Sequence, residues 1–226
     1  MSDPAPPHAT RPTLLTFDIF GTVVDWRRGL ARDLERLGVT LDDASFERIL
    51  GAQEHDEAGP FVPYATIMAR SLVTTLGVRE EDARAIGGAV GRWPVFPDAP
   101  AGLARLLELA PCVAMTNSDR IHREQVEEQL GLSLSDWLAS EDTRLYKPDP
   151  AFWEAVAERR GVVPGPSWWH VSAYGDYDLA TAHALGLTCA FIERPHRRPG
   201  PADVRATDLV ALAVSIAHAV SPSNPE

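Results

Sequence analysis

The sequence predicts an α/β fold: a Rossmann-like parallel sheet with helices on both faces, carrying an all-helical insertion after its first strand. Three observations carry that reading. Short apolar runs at 13–17, 112–115, 168–171 and 188–192 each stop at polar residues, as strands buried on both faces do. Amphipathic stretches of helical period lie at 101–109, 123–130, 151–160 and 179–185, and strands alternating with helices imply parallel pairing. Residues 28–95 break the alternation, with helical stretches at 30–37, 46–52, 64–76 and 81–90 and no strand pattern. The expected division is a core of 12–27 plus 96–220 and a helical cap of 28–95. The Pro-rich residues 1–11 read as a disordered arm and 221–226 as a disordered tail.

Composition narrows the function classes. A net charge of -11 repels a phosphate backbone, and the basic residues are scattered apart from His196-Arg197-Arg198, so nucleic acid is not an expected partner. Apolar runs are too short to span a bilayer, and the first residues lack the apolar core of a secretion signal. Cys112 and Cys189 both lie inside apolar runs, where buried thiols in a reducing cytoplasm are the ordinary reading. The expected partner is a small-molecule substrate, and a homodimer is compatible with the reading.

In an open parallel sheet, ligands bind outside the carboxyl ends of the strands. Asp18, Thr22, Thr116, Asn117, Lys147 and Asp178 all fall at such ends or in the loops that follow and are expected to share one pocket. A carboxylate at a strand end, followed by a glycine turn and a hydroxyl, leaves one edge free for attack while loop N–H groups hold the other, as covalent catalysis by Asp requires. Taken singly, Asp18 reads better as a turn or helix cap, and the Thr116-Asn117-Ser118-Asp119 segment as a helix cap. Lys147 alone would be a surface residue before a Pro-initiated helix.

Together these segments resemble the haloacid dehalogenase superfamily: Phe17-Asp18-Ile19-Phe20-Gly21-Thr22 running on to Asp25-Trp26, Thr116-Asn117, Tyr146-Lys147-Pro148-Asp149-Pro150, and Asp178 with Ala182 and Gly186. The first motif is most similar to that of the bacterial type II (S)-2-haloacid dehalogenases. The likeness covers about 13–215 and implies a helical cap of the C1 type. It implies Asp18 as nucleophile, with Thr22 in the same loop and Thr116 holding the nucleophile or the substrate carboxylate. Asn117 would donate to the substrate or leaving group, and Lys147 and Asp178 would position charge and water.

Two departures bear on reaction class. Phe20 stands where most superfamily phosphatases carry a second Asp as general acid, and Ala173 stands where they carry a metal-binding Asp. A Phe cannot protonate an alkoxide, whereas a halide leaves without a proton. An octahedral Mg²⁺ site would lack oxygen ligands. The expectation is therefore a 2-haloacid dehalogenase with no metal and no cofactor. The alternatives are a Mg²⁺-dependent phosphatase using Asp176 or Asp178, and a degenerate binding protein on the same fold.

The loop before Asp178 is one residue longer than in the best-known dehalogenases. No Arg stands at 49–55, where those enzymes grip the halide; Arg48, Gln53 and His55 are candidate substitutes, although a one-residue shift turns a helical side chain about 100° aside. Phe20, Trp26, Phe61, Tyr64 and Trp153 are candidate apolar walls.

Overall fold

The computed structural model describes residues 10–220. Residues 1–9 of the expected arm and the expected tail at 221–226 lie outside the described residues. Six strands form one parallel sheet: β1 (Leu14–Phe17), β2 (Cys112–Thr116), β3 (Asp136–Ala139), β4 (Trp168–Ser172), β5 (Thr188–Ile192) and β6 (Val204–Ala206), in the order β3-β2-β1-β4-β5-β6. The four apolar runs are β1, β2, β4 and β5. The two strands without such a run, β3 and β6, are the short edges, where one side of the ladder needs no partner and few residues must be apolar.

Alternate residues of the inner strands feed two hydrophobic clusters, as a period of two demands. Leu15, Phe17, Ala114 and Val171 face one cluster, while Leu14, Val113, Met115 and Trp168 face the other. The first cluster continues into the helices between β1 and β2. These are α1 (Trp26–Glu35), α2 (Asp43–Glu57), α3 (Tyr64–Leu76) and α4 (Glu80–Gly87), followed by α5 (Ala99–Leu109). Leu30, Leu34, Phe46, Ile49, Met68 and Leu72 are each at most 2% exposed there, and each such burial contributes roughly 1.5–3 kcal/mol. Between β1 and β2 the described residues form only helices, turns and isolated bridges.

Helix starts follow the chain's Asp residues. Asp25 caps α1 and Asp42 caps α2, the latter accepting from the Ser45 N–H at 2.7 Å, which satisfies amides that the first turn leaves unpaired. The start of α3 is served from across the molecule: Asp119, after β2, accepts from the N–H groups of Tyr64 at 2.7 Å and Ala65 at 2.8 Å. The cap suggested by Asp119 thus exists, but on α3 rather than on α6 (Ile121–Leu130), the helix that follows it.

After β3 come α7 (Ser140–Thr143) and α8 (Pro150–Arg160). A π-turn spans Gly175–Leu179, where the Leu179 N–H reaches back five residues to the Tyr174 carbonyl at 3.2 Å. Such single-turn insertions re-aim side chains without breaking the helix that follows, here α9 (Ala180–Ala184). The chain closes with α10 (Leu209–Val220). No described helix is long and apolar enough to cross a membrane.

Candidate active site

β1 has β2 on one side and β4 on the other, so connections leave it in opposite directions and open a crevice at its carboxyl end. Asp18 follows β1 directly and is 6% exposed. Its Oδ2 accepts from the Thr22 hydroxyl at 2.7 Å, and its Oδ1 accepts from Lys147 Nζ at 2.9 Å. The same Nζ donates to Asp178 Oδ2 at 2.9 Å, which also accepts from the Ser172 hydroxyl at 2.9 Å. Thr22 in turn accepts from the Ala173 N–H at 2.9 Å.

The loop that carries Asp18 needs its glycine. Gly21 has φ +102°, and a Cβ there would lie 2.1 Å from the Tyr174 hydroxyl, so any side chain is excluded by both backbone and space. The Tyr174 hydroxyl itself accepts from Trp26 Nε1 at 3.0 Å.

One ammonium between two buried carboxylates sets the electrostatics. Burial pushes both acids up. At Asp178 the Lys147 charge, together with the nearby His170, outweighs burial and holds the carboxyl at about 2. At Asp18 burial outweighs the pull of Lys147, the Asp178 charge adds to it, and the carboxyl sits above its ordinary range. Burial lowers Lys147, but Asp178 and Asp18 reverse that and raise it, so the cation persists at every physiological pH.

Above this cluster lies a cavity of about 100 Å³, room for a few heavy atoms only. Asp18, Thr116, Asn117 and Lys147 line it from the strand ends, with Phe20, Trp26, Tyr64, Tyr174 and Tyr177 as aromatic walls. Thr116 is 1% exposed, and its hydroxyl makes no side-chain hydrogen bond among the described residues. Phe20 stacks on Tyr64 at 6.1 Å and meets Trp93 edge-on at 6.4 Å.

Of the residues predicted from sequence, the structure gathers Asp18, Thr22, Thr116, Asn117, Lys147 and Asp178 into one cluster, with Phe20, Trp26 and Tyr64 beside it. Two suggested walls do not reach it. Trp153 is buried in the second cluster with its ring edge-on to His170, because its position on α8 faces the sheet. Phe61 packs on Tyr146 and under Arg144. Of the three substitutes for the missing Arg, Gln53 lines the cavity, whereas Arg48 and His55 are exposed, and Arg48 bonds to Ser45.

Asn117 is more heavily committed than expected. Its Nδ2 lies 2.9 Å from Glu57 Oε2, 3.0 Å from the Lys147 carbonyl and 2.6 Å from the Tyr177 hydroxyl. Its Oδ1 accepts from the Lys147 N–H at 2.7 Å and the Ser140 hydroxyl at 3.2 Å. It therefore fixes the loop that presents Lys147.

Apart from Gln53, sequence reasoning missed the helical wall. Leu50, Glu54 and Glu57 line the cavity from α2 together with Gln53, at the i, i+3, i+4, i+7 spacing of one helix face, and that spacing is the available signal. Burial pushes the Glu57 carboxyl up to about 8, against the Asn117 hydrogen bond and the Lys147 charge. Arg198, at the rim, is spent on Asp176 and on Glu54, the latter at 2.9 Å.

The donor set does not fit an octahedral divalent ion. Lys147 Nζ already bridges Asp18 and Asp178, Phe20 and Ala173 offer no side-chain oxygen, and both oxygens of Asp176 accept from Arg198.

Comparison with known proteins agrees with this architecture. No curated protein matches the sequence. Among solved structures, a defluorinating L-2-haloacid dehalogenase superposes with TM-score 0.79 at 25% identity, over 93% of this chain and 98% of that one. Another L-2-haloacid dehalogenase gives 0.77 at 26% identity, over 92% and 99%. The L-2-haloacid dehalogenase of Xanthobacter autotrophicus shares the fold with TM-score 0.79 at 19% identity, over 91% and 98%. The haloacid dehalogenase-like hydrolase family matches residues 12–168, well over half of the chain, and this protein is a member of that family.

Proposed function

We propose that this hydrolase cleaves the carbon–halogen bond of a small 2-halo carboxylic acid by covalent catalysis on Asp18, without a divalent metal. The observation that carries the reading is the Asp18–Lys147–Asp178 cluster beside Phe20 and Ala173, which offer neither a general acid nor a side-chain oxygen to a bridging ion. The dehalogenase neighbours at 25% and 26% identity support the substrate class. Residues 28–95 act as a cap in this reading: α2 and Tyr64 supply the side of the cavity facing the strand ends.

In the first step an Asp18 oxygen bonds to the α-carbon as the carbon–halogen bond breaks, and the halide leaves with both electrons of that bond. The Thr116 hydroxyl serves the substrate carboxylate. In the second step water adds to the Asp18 carboxylate carbon and the ester bond to Asp18 breaks, releasing a 2-hydroxy acid, one proton and the regenerated carboxylate. Lys147 and Asp178 hold charge and water in place throughout. Thr22 and the Ala173 N–H fix the rotamer of Asp18. We assign the enzyme to the cytoplasm, acting on a small molecule.

A panel of 2-haloacids and phosphate esters, run with and without chelator, tests this. Halide release indifferent to chelator is expected. Phosphate release that requires Mg²⁺ would replace the reading with the phosphatase one, and silence on both substrate classes would leave a binding protein.

A further inference from the structure

An in-line displacement expels its leaving group away from the nucleophile, here from the strand-end side of the cavity toward α2 and α3. Among the described residues, that wall holds no unpaired cation. Arg48 is turned to Ser45, and Arg198 is paired with Asp176 and Glu54. The polar groups beside them are also spoken for: the Tyr64 hydroxyl donates to Gln53 at 3.3 Å, and the Gln53 amide faces Ser71 and Met68 at 3.5 Å. Asn117 offers two amide hydrogens, already contested by Glu57, the Lys147 carbonyl and the Tyr177 hydroxyl. On this wall Glu57 keeps an oxygen, Oε1, with no hydrogen bond among the described residues, on a side chain that lines the cavity, and unlike Glu54, which is ion-paired with Arg198, it has no cation bonded to it.

We propose that Glu57, in its acid form, is the hydrogen-bond donor to the leaving group, so that the site favours a strongly accepting leaving group, fluoride, over bromide or chloride. The inference rests on the reading of Asp18 as nucleophile. As the Asp18 oxygen bonds to the α-carbon, the carbon–fluorine bond breaks and fluoride departs with its electron pair, accepting a hydrogen bond from Glu57. The proton stays on Glu57. Fluoride is small and charge-dense and gains much from such a bond, whereas bromide and chloride are diffuse and gain little. An ionised Glu57 would instead repel the departing anion.

The groups facing Glu57 are Glu54 on its own helix, Tyr64 on α3, Asp18, Asn117, Tyr146 and Lys147 from the strand-end loops, Tyr177 and Asp178 in the π-turn, and Arg198 at the rim. Lys147 is the cation among them that would favour ionisation most directly, and it is already shared by two carboxylates. Burial outweighs it and keeps the Glu57 carboxyl neutral near pH 7, with its midpoint at about 8.

The test compares fluoride release from 2-fluoropropionate with bromide release from 2-bromopropionate across pH, in the full chain and three variants. In the wild type the fluoride-to-bromide ratio should fall by about tenfold or more as Glu57 ionises. Glu57→Leu, which has no donor, should lower that ratio by roughly 10²-fold. Glu57→Gln can accept from Asn117 and still donate into the cavity, so it should keep the ratio within about tenfold of wild type and lose the alkaline fall. His55→Ala, exposed and outside the cavity, is the control.

A ratio that Glu57→Leu leaves unchanged, or an alkaline fall that persists in Glu57→Gln, overturns the inference while leaving Asp18 in place. If Glu57→Leu does not fold, the comparison of wild type with Glu57→Gln still decides. Release of neither halide by the wild type would bring down the dehalogenase reading itself, and this inference with it.

Discussion

On the strand-end side of the cavity, Asp18 and Asp178 each have the Lys147 ammonium at 2.9 Å, whereas on the helical side Glu57 has only the neutral Asn117 amide at 2.9 Å. Burial pushes all three carboxyls up, and the difference lies in what opposes it. At Asp178 the Lys147 charge prevails and holds the carboxyl at about 2, at Asp18 it only partly offsets burial, and at Glu57, which has no cation bonded to it among the described residues, the carboxyl rises to about 8. One side is built around a fixed cation. The other is built to change charge within the range of ordinary pH.

Removing the shared cation should give the largest effect. Lys147→Met leaves two buried carboxylates facing each other, a loss of roughly 3–5 kcal/mol in urea denaturation, and turnover should fall by about 10²–10³-fold. A variant as stable as wild type would show that the two acids are not held by that ammonium.

Glu57→Gln probes the other side through stability. A carboxyl raised from its ordinary 4.5 to about 8 favours the native state most at low pH, and that advantage is lost as pH rises through this window. The wild type should therefore lose thermal stability between mildly acid and mildly alkaline pH, and Glu57→Gln should lose less. Parallel melting curves for the two proteins across that range would mean that Glu57 is not shielded from water.

The smallest effect concerns how the helical wall is attached. Asp119 accepts from the first amides of α3 at 2.7 and 2.8 Å, so Asp119→Ala should cost roughly 0.5–2 kcal/mol in urea denaturation. The Asp18 cluster shares none of these bonds. An unchanged denaturation midpoint would show that α3 is held by apolar packing alone.

The same contrast explains what was legible in the sequence. The strand-end residues sit in short local motifs, and β1, β2, β4 and β5 announce themselves as apolar runs, so the sheet and the Asp18 cluster could both be read. β3 and β6 could not, because edge strands of four and three residues carry too little apolar pattern. On the helical side, hydrophobic period fades after Ala52, since Gln53, Glu54, His55, Asp56 and Glu57 are all polar. The reading ended α2 at 52, whereas the helix runs to Glu57, and Glu57 went unseen. Trp153 shows the converse limit: its residue type suggested a wall, but which face of α8 it occupies depends on packing against β4 rather than on any local signal.

The central claim is that Asp18 forms the covalent bond, and one turnover in ¹⁸O-water tests it directly. Hydrolysis at the carboxylate carbon leaves one solvent oxygen in the enzyme, while the product keeps an oxygen that belonged to Asp18. Mass spectrometry of the Asp18 peptide after single turnover should therefore find the label in its side chain, with unlabelled product. A labelled product beside an unlabelled Asp18 peptide would mean that water attacks the substrate itself, and Asp18 would not be the nucleophile.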